Sequence, residues 1–138
     1  MRRRSPLLLV LVLALGCGAG KRASVSGTVT LDGKPLPGAL VSFQPVGEGQ
    51  VAPGAGSTGR TDDKGQYTLQ VIGGGNGAVV GWHKVRISCP VEEGPSNPDE
   101  DRRTPQKDRV PARYNRKSEL KFEVKPGSNT ADWPLTTK

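Results

Sequence analysis

The side chains able to do chemistry in this chain are few and scattered. His83 is the single histidine, so a site built on two imidazoles cannot form, and the commonest general base is available at one position only. It stands beside Trp82 and in phase with Val85 and Ile87, the setting of a structural strand residue. Carboxylates gather at Asp62-Asp63 and at Asp99-Glu100-Asp101. Calcium takes roughly six to eight oxygen ligands, and Asp62 and Asp63 are the residues it would use here. Their spacing matches no EF-hand loop, and TDDKG also makes a hairpin turn in which Asp accepts backbone hydrogen bonds and Gly takes positive φ, so no metal is expected. The second cluster is followed at once by Arg102-Arg103, which neutralises it in solvent. No Ser or Cys lies in a GxSxG or Cys-His setting, and Gly73-Gly74-Gly75-Asn76-Gly77 lacks the Lys-Ser/Thr of a phosphate-binding loop. No catalytic residue and no cofactor are expected. Of the two tryptophans, Trp133 keeps phase with Ala131 and Leu135 and belongs to a core. Trp82 is left as a possible stacking surface for a sugar, with Arg102, Arg103 and Arg113 as cationic binding candidates.

The N-terminus has the layout of an export signal. Arg2, Arg3 and Arg4 form a positive region, residues 6–15 are an almost unbroken apolar run, and small residues follow at Gly16, Gly18 and Ala19. The apolar run is too short for a stable transmembrane helix, which needs about 20 residues. Leu13-Ala14-Leu15-Gly16-Cys17 resembles the lipobox of bacterial lipoproteins, in which cleavage precedes the cysteine and its thiol is acylated; Ala14 and Leu15 are transposed relative to the usual order, while Gly16 fits. The resemblance implies a signal peptide over 1–16, a lipidated tether over 17–24 and a membrane anchor at Cys17. Gly18, where inner-membrane retention favours Asp, implies an exported protein at the outer membrane. The alternative is a plain secretory signal that leaves Cys17 a free thiol or pairs it with Cys89. Cys89 ends an alternating apolar segment, the place of a buried inert thiol.

Composition narrows the options for the chain beyond the signal. With 138 residues there is room for one domain. Gly (19) and Pro (12) are abundant, which disfavours helices and favours short strands joined by turns. Hydrophobic residues make up 33% and aromatic ones 4%, so the core is thin and built largely from Val, Leu and Ala. The formal charge of +7 includes Arg2, Arg3 and Arg4; without them 17 basic residues face 13 acidic ones, leaving +4. That mixture has no aromatic residues interleaved among basic ones, and nucleic acid is not an expected partner.

Period-two alternation runs through the rest of the chain. Val25, Val29 and Leu31 share a face with Gly27 between them; Asp32-Gly33 signals a tight turn; Ala39, Val41 and Phe43 form the next inward set. Residues 44–57 read as a surface loop, Ser57 to Thr61 as a short strand, and Tyr67, Leu69 and Val71 alternate after the TDDKG turn. His83, Val85, Ile87 and Cys89 supply another face, as do Leu120, Phe122 and Val124, then Ala131, Trp133 and Leu135 across a Pro126-Gly127 turn. The stretch 90–117 is rich in proline and charge and predicts a long mobile insertion. Six or seven short strands at this spacing predict an all-β sandwich over residues 25–138.

Three stretches, VSGTVTLDGKPLPGALVSF (25–43), TDDKGQYTL (61–69) and GWHKVRIS (81–88), resemble the carboxypeptidase regulatory-like, or transthyretin-like, β-sandwich domains of small bacterial surface lipoproteins. The tail from Val110 to Leu135, opening with VPARYN, is similar to the ending of those lipoproteins. The resemblance implies a seven-stranded, Ig-like or prealbumin-like sandwich, not an enzyme, acting as a structural, adhesive or binding module. A second possibility is a ligand-binding module that takes an envelope glycan, a polyanion or a protein partner through the 90–117 loop. A remote one is a hydrolase: the architecture also includes hydroxyisourate hydrolases, which use several His and Arg residues and a C-terminal Tyr-Arg-Gly-Ser signature. This chain has one histidine and ends Pro134-Leu135-Thr136-Thr137-Lys138. Fold alone does not supply function.

Overall fold

Wherever the apolar residues alternate, the backbone is extended. The structure, a computed structural model, describes residues 21–47, 54–91 and 107–138. The signal segment, Cys17, Asp99-Glu100-Asp101, Arg102 and Arg103 lie outside the described residues. The strands are β1 (Arg22–Leu31), β2 (Lys34–Pro35), β3 (Leu40–Pro45), β4 (Ser57–Arg60), β5 (Gln66–Thr68), β6 (Gln70–Val71), β7 (Ala78–Val79), β8 (Gly81–Ser88), β9 (Lys121–Val124), β10 (Ser128–Thr130) and β11 (Trp133–Leu135). Among the described residues the one helical turn is a 3-10 helix at Ala112–Tyr114. β5 and β6, β7 and β8, and β10 and β11 are each separated by only one or two residues. Joined in this way, and leaving aside the two-residue β2, the segments form seven extended stretches.

Two sheets face each other. In the first, β1 is the hub: it pairs antiparallel with β7 (Arg22 opposite Val79), β5 (Gly27 opposite Tyr67) and β2 (Thr30 opposite Pro35), and parallel with β10 and β11. The second sheet runs in the order β6-β4-β3-β8-β9 and is antiparallel throughout. Side chains at alternate positions meet between the sheets: Val25 and Val29 from β1, Val41 and Phe43 from β3, Tyr67, Leu69, Val85, Ile87, Val124, Ala131 and Leu135, all buried. Leu31, Leu120, Phe122 and Trp133 pack against this core half-buried. Each fully buried aliphatic side chain contributes about 1.5–3 kcal/mol, and this layer holds the sheets together.

Two glycines let the backbone do what a side chain would prevent. A Cβ on Gly27 would lie 1.8 Å from the Ala131 carbonyl oxygen, so the chain crosses there only because the position is bare. In the β1–β2 turn, Asp32 and Gly33 both take positive φ (51° and 81°), as a tight two-residue hairpin requires.

At two places the chain is more ordered than its sequence predicts. The first strand begins at Arg22, inside the expected 17–24 tether, because Ala23 is buried opposite Ala78 and so extends the inward-facing series one step upstream. Residues 107–117, expected to move with the 90–117 insertion, are docked. Asp108 Oδ1 accepts the N–H of Cys89 and of Val110 at 2.9 and 2.8 Å, Pro90 bridges to Asp108, and the Val91 N–H meets the Lys107 carbonyl at 2.9 Å. Val110 is buried, and one apolar anchor with a carboxylate oxygen that accepts two backbone N–H groups outweighs a local composition that favours solvent. Residues 92–106 lie outside the described residues.

Candidate functional site

The interior polar groups answer to the backbone. His83, delivered inward by β8, is buried against Phe43, with ring centroids 5.6 Å apart. Its Nε2 lies 2.6 Å from the Val79 carbonyl and donates to it, which leaves Nδ1 as the unprotonated nitrogen, without a hydrogen-bond partner. Burial lowers the imidazole pKa below its ordinary value, against the opposing pull of the Val79 and Phe43 carbonyls, so the ring is a neutral core member. Tyr67 donates to the Ala131 carbonyl at 2.6 Å and accepts the Trp133 Nε1–H at 3.0 Å, and burial pushes its hydroxyl pKa far upward. Thr61 accepts from the Ala39 N–H at 2.8 Å and donates to the Leu36 carbonyl, while Ser118 donates to the Val85 carbonyl. Cys89 is buried with its thiol 3.7 Å from the Pro37 carbonyl, and burial raises its pKa, the state of an inert thiol.

Turn and tail residues are likewise occupied. Asp62 Oδ1 accepts the N–H groups of Lys64 and Gln66, both at 2.9 Å, which is the hairpin-turn chemistry of TDDKG; neighbouring Asp63 is exposed. Among the described residues no group of three or more His, Cys, Asp or Glu side chains converges as metal ligands would. Arg113, a cationic binding candidate in the sequence, is held by its own chain: the guanidinium stacks over Tyr114 at 4.8 Å and donates to the Thr136 and Lys138 carbonyls. The Tyr114 hydroxyl, hydrogen-bonded at Thr136 and beside Arg113, has its pKa lowered to about 8. Asp32, whose two oxygens accept the Thr137 N–H and hydroxyl, has its pKa lowered by those bonds.

Among the described residues, the outer face of the second sheet carries exposed apolar side chains. Trp82 is 55% exposed and Val46 52% exposed, and the Val46 N–H on the Trp82 carbonyl (2.9 Å) fixes them side by side. With Gly47, His83 and Lys121 they line an open cleft of about 410 Å³. Lys84 and Lys121 face each other across β8 and β9, and Trp82 faces Glu123. Like charges directly opposite on a sheet repel, and Glu119, which lines a cleft with Lys84 and Lys121, is a carboxylate near enough to offset part of that repulsion. A second open cleft, about 480 Å³, lies at the root of the 92–106 segment between Lys107, Asp108 and Arg116.

Among the described candidates Trp82 stands apart: it is exposed, Trp133 packs against Phe43 and Phe122 with its indole N–H on Tyr67, and Arg113 is engaged. Sequence reasoning overlooked Val46 and the Lys84–Lys121 pair. Parity could have found the lysine of β8, since Lys84 shares the outward phase of Trp82; its partner depends on the β8–β9 register.

No protein-family model and no curated protein matches this chain. Among solved structures it is similar to a crystal structure of a DUF3823 family protein from Parabacteroides merdae ATCC 43184, with a TM-score of 0.42 and 10% sequence identity over 84% of this chain. The chain spans 46% of that protein's length.

Proposed function

We propose that this protein is a non-enzymatic, membrane-tethered module of the bacterial cell envelope, exported and anchored through acylated Cys17, at the outer membrane. Its sandwich is a structural, adhesive or binding body of the carboxypeptidase regulatory-like, transthyretin-like type. The observation that supports this reading is the use made of the interior chemistry: His83, Tyr67, Thr61, Ser118 and Cys89 are all turned to backbone groups of the core, where they stabilise the fold. The sandwich also starts at Arg22, just downstream of Cys17, as suits a body strapped close to its anchor. Detergent phase partition of cells expressing the protein tests the anchor. The protein is expected in the detergent phase and the Cys17→Ser variant in the aqueous phase; an aqueous wild-type protein, or mass spectrometry showing an N-terminus other than modified Cys17, would refute it.

A second reading, capture of a glycan, polyanion or protein partner through the 90–117 segment, is favoured by the cleft at its root, where Lys107 and Arg116 flank Asp108. Replacing residues 92–106 by a short glycine linker should then abolish binding to envelope components while the fold persists. Undiminished binding would exclude it.

A further inference from the structure

The end of the sandwich at which the chain arrives from residue 20 differs from the opposite end. There the Lys21 carbonyl accepts the Val80 N–H at 2.8 Å, and Arg22 faces Val79 while donating to the Gly74 carbonyl at 3.3 Å. β3 finishes and β8 begins at the same end, with Pro45 opposite His83 and Val46 bonded to Trp82. The 72–77 loop is tied to it by the Ile72 N–H on the Gly56 carbonyl at 2.9 Å, and the Pro126-Gly127 turn by the Ser24 N–H on the Gly127 carbonyl at 3.1 Å. The large hydrophobic residues exposed among the described residues are Val46 (52%), Ile72 (62%) and Trp82 (55%), and all three sit here. Lys21, Arg22 and Lys125 accompany them, and Lys84 and Lys121 form the next outward-facing pair along the second sheet. Two carboxylates accompany them, Glu123 opposite Trp82 and Glu119, which lines a cleft with Val46, Lys84 and Lys121, so the basic side chains outnumber the acidic ones here among the described residues. Asp32, Asp62 and Asp63 belong to turns at the opposite end, and Asp108 is paired near Cys89 there.

We propose that this end is the surface on which the domain rests against the bilayer that holds its own acyl chain, with Trp82, Val46 and Ile72 at headgroup level and the basic side chains on anionic lipid phosphates. The proposal rests on the reading of Cys17 as the acylated residue. From Cys17 to Lys21 the chain can span at most about 14 Å, at roughly 3.3–3.6 Å per residue. β1 alone, ten residues long, extends about 33 Å at roughly 3.3 Å per residue. The end that carries the exposed indole is therefore held near the membrane, and the Asp-bearing turns are held away from it. Tryptophan suits that depth, because its ring is apolar and its N–H prefers water, and flanking Lys and Arg are attracted by anionic headgroups. A glycan would have to enter the same narrow gap, whereas the bilayer is already present.

The test uses the mature acylated chain reconstituted into vesicles of phosphatidylethanolamine and phosphatidylglycerol whose acyl chains are brominated near the headgroup. Since one of the two indoles is placed in the lipid, quenching of roughly half the tryptophan emission is expected. Trp82→Phe should abolish the quenching and Trp133→Phe should retain it. Quenching that survives Trp82→Phe, or none in the wild type, overturns the proposal, as does emission that brominated lipid spares but added envelope glycan shifts. Mass spectrometry of the same sample reads the anchor independently, so an acylated protein without quenching refutes the orientation alone. If Cys17 proves bare, the anchor reading fails by itself and the unmodified chain is mixed with the same vesicles. A blue shift lost in Trp82→Phe and absent with phosphatidylcholine vesicles then supports the surface, and no shift overturns it. The core is built from residues between Ala23 and Leu135, so the chain from Cys17 onward retains all of it.

Discussion

Gly27 and His83 show how single residues constrain this sandwich. At Gly27 an added methyl would meet backbone, the Ala131 carbonyl, which cannot rotate away as a side chain could. Gly27→Ala is expected to lower the unfolding free energy by about 3 kcal/mol or more, at the upper end of overpacking costs, as measured by urea denaturation. A loss below about 1 kcal/mol would mean that β1 and the 131–132 segment can separate at little cost. At His83 the consequence depends on pH. The unfolded imidazole binds its proton near pH 6.5 whereas burial lowers the folded value, so below pH 6.5 the unfolded chain binds more protons. This contribution to stability is complete above pH 6.5 and is lost as pH falls from there toward the folded pKa. Thermal unfolding midpoints should drop over that interval in the wild type and fall less steeply in His83→Phe; parallel slopes would show that the folded ring takes up its proton as readily as the unfolded one.

At the scale of elements, Val91 and Lys107, which flank residues 92–106, are bonded to each other. The backbone bond between those residues, the Asp108 carboxylate on Cys89 and Val110, and buried Val110 fix both ends to the sandwich. Loop-closure entropy changes only slowly with length. Replacing 92–106 by two or three glycines should leave the melting temperature within a few degrees of wild type, whereas Val110→Ala should cost about 2 kcal/mol through the cavity it opens. Calorimetry of the two variants distinguishes this from an insertion that folds as part of the core, for which the deletion would be the more damaging change.

At the scale of the molecule, a buried core is set against a surface whose exposed large hydrophobic residues, among those described, gather at one end. Trp133 shares ring contacts with Phe43 and Phe122 and donates to Tyr67, whereas Trp82 stands on the outer face beside Val46. Removing the two indoles should therefore give unequal results: Trp82→Ala changes stability by no more than about 0.5 kcal/mol, and Trp133→Ala lowers it by about 3 kcal/mol. Denaturant titrations followed by circular dichroism would measure both. A Trp82→Ala loss comparable to that of Trp133→Ala would mean that the exposed indole is part of the core's support, and the outer face would lose its claim to be a free surface.

Much of the sandwich was legible because strand burial has a period of two. Once Val41 and Phe43, or Val85 and Ile87, are apolar on alternate positions, their shared face is settled by local geometry, and the Asp32-Gly33 turn by backbone sterics. The same parity placed His83 and Cys89 inside and Trp82 outside. What parity does not contain is which strand lies beside which. The parallel pairing of β1 with β10 and β11, the tyrosine bridge from Tyr67 to Ala131 and Trp133, and the capture of Arg113 by the final residues all join positions more than twenty residues apart. Local composition also misjudged residues 107–117, because a charged, proline-containing stretch needs only Val110 and Asp108 to dock, and those anchors exist only once the β8 end is in place. The gathering of Val46, Ile72 and Trp82 at one end likewise belongs to the tertiary structure alone: each is an isolated exposed residue in the sequence, and only the register of β3, β6 and β8 brings their strand ends together.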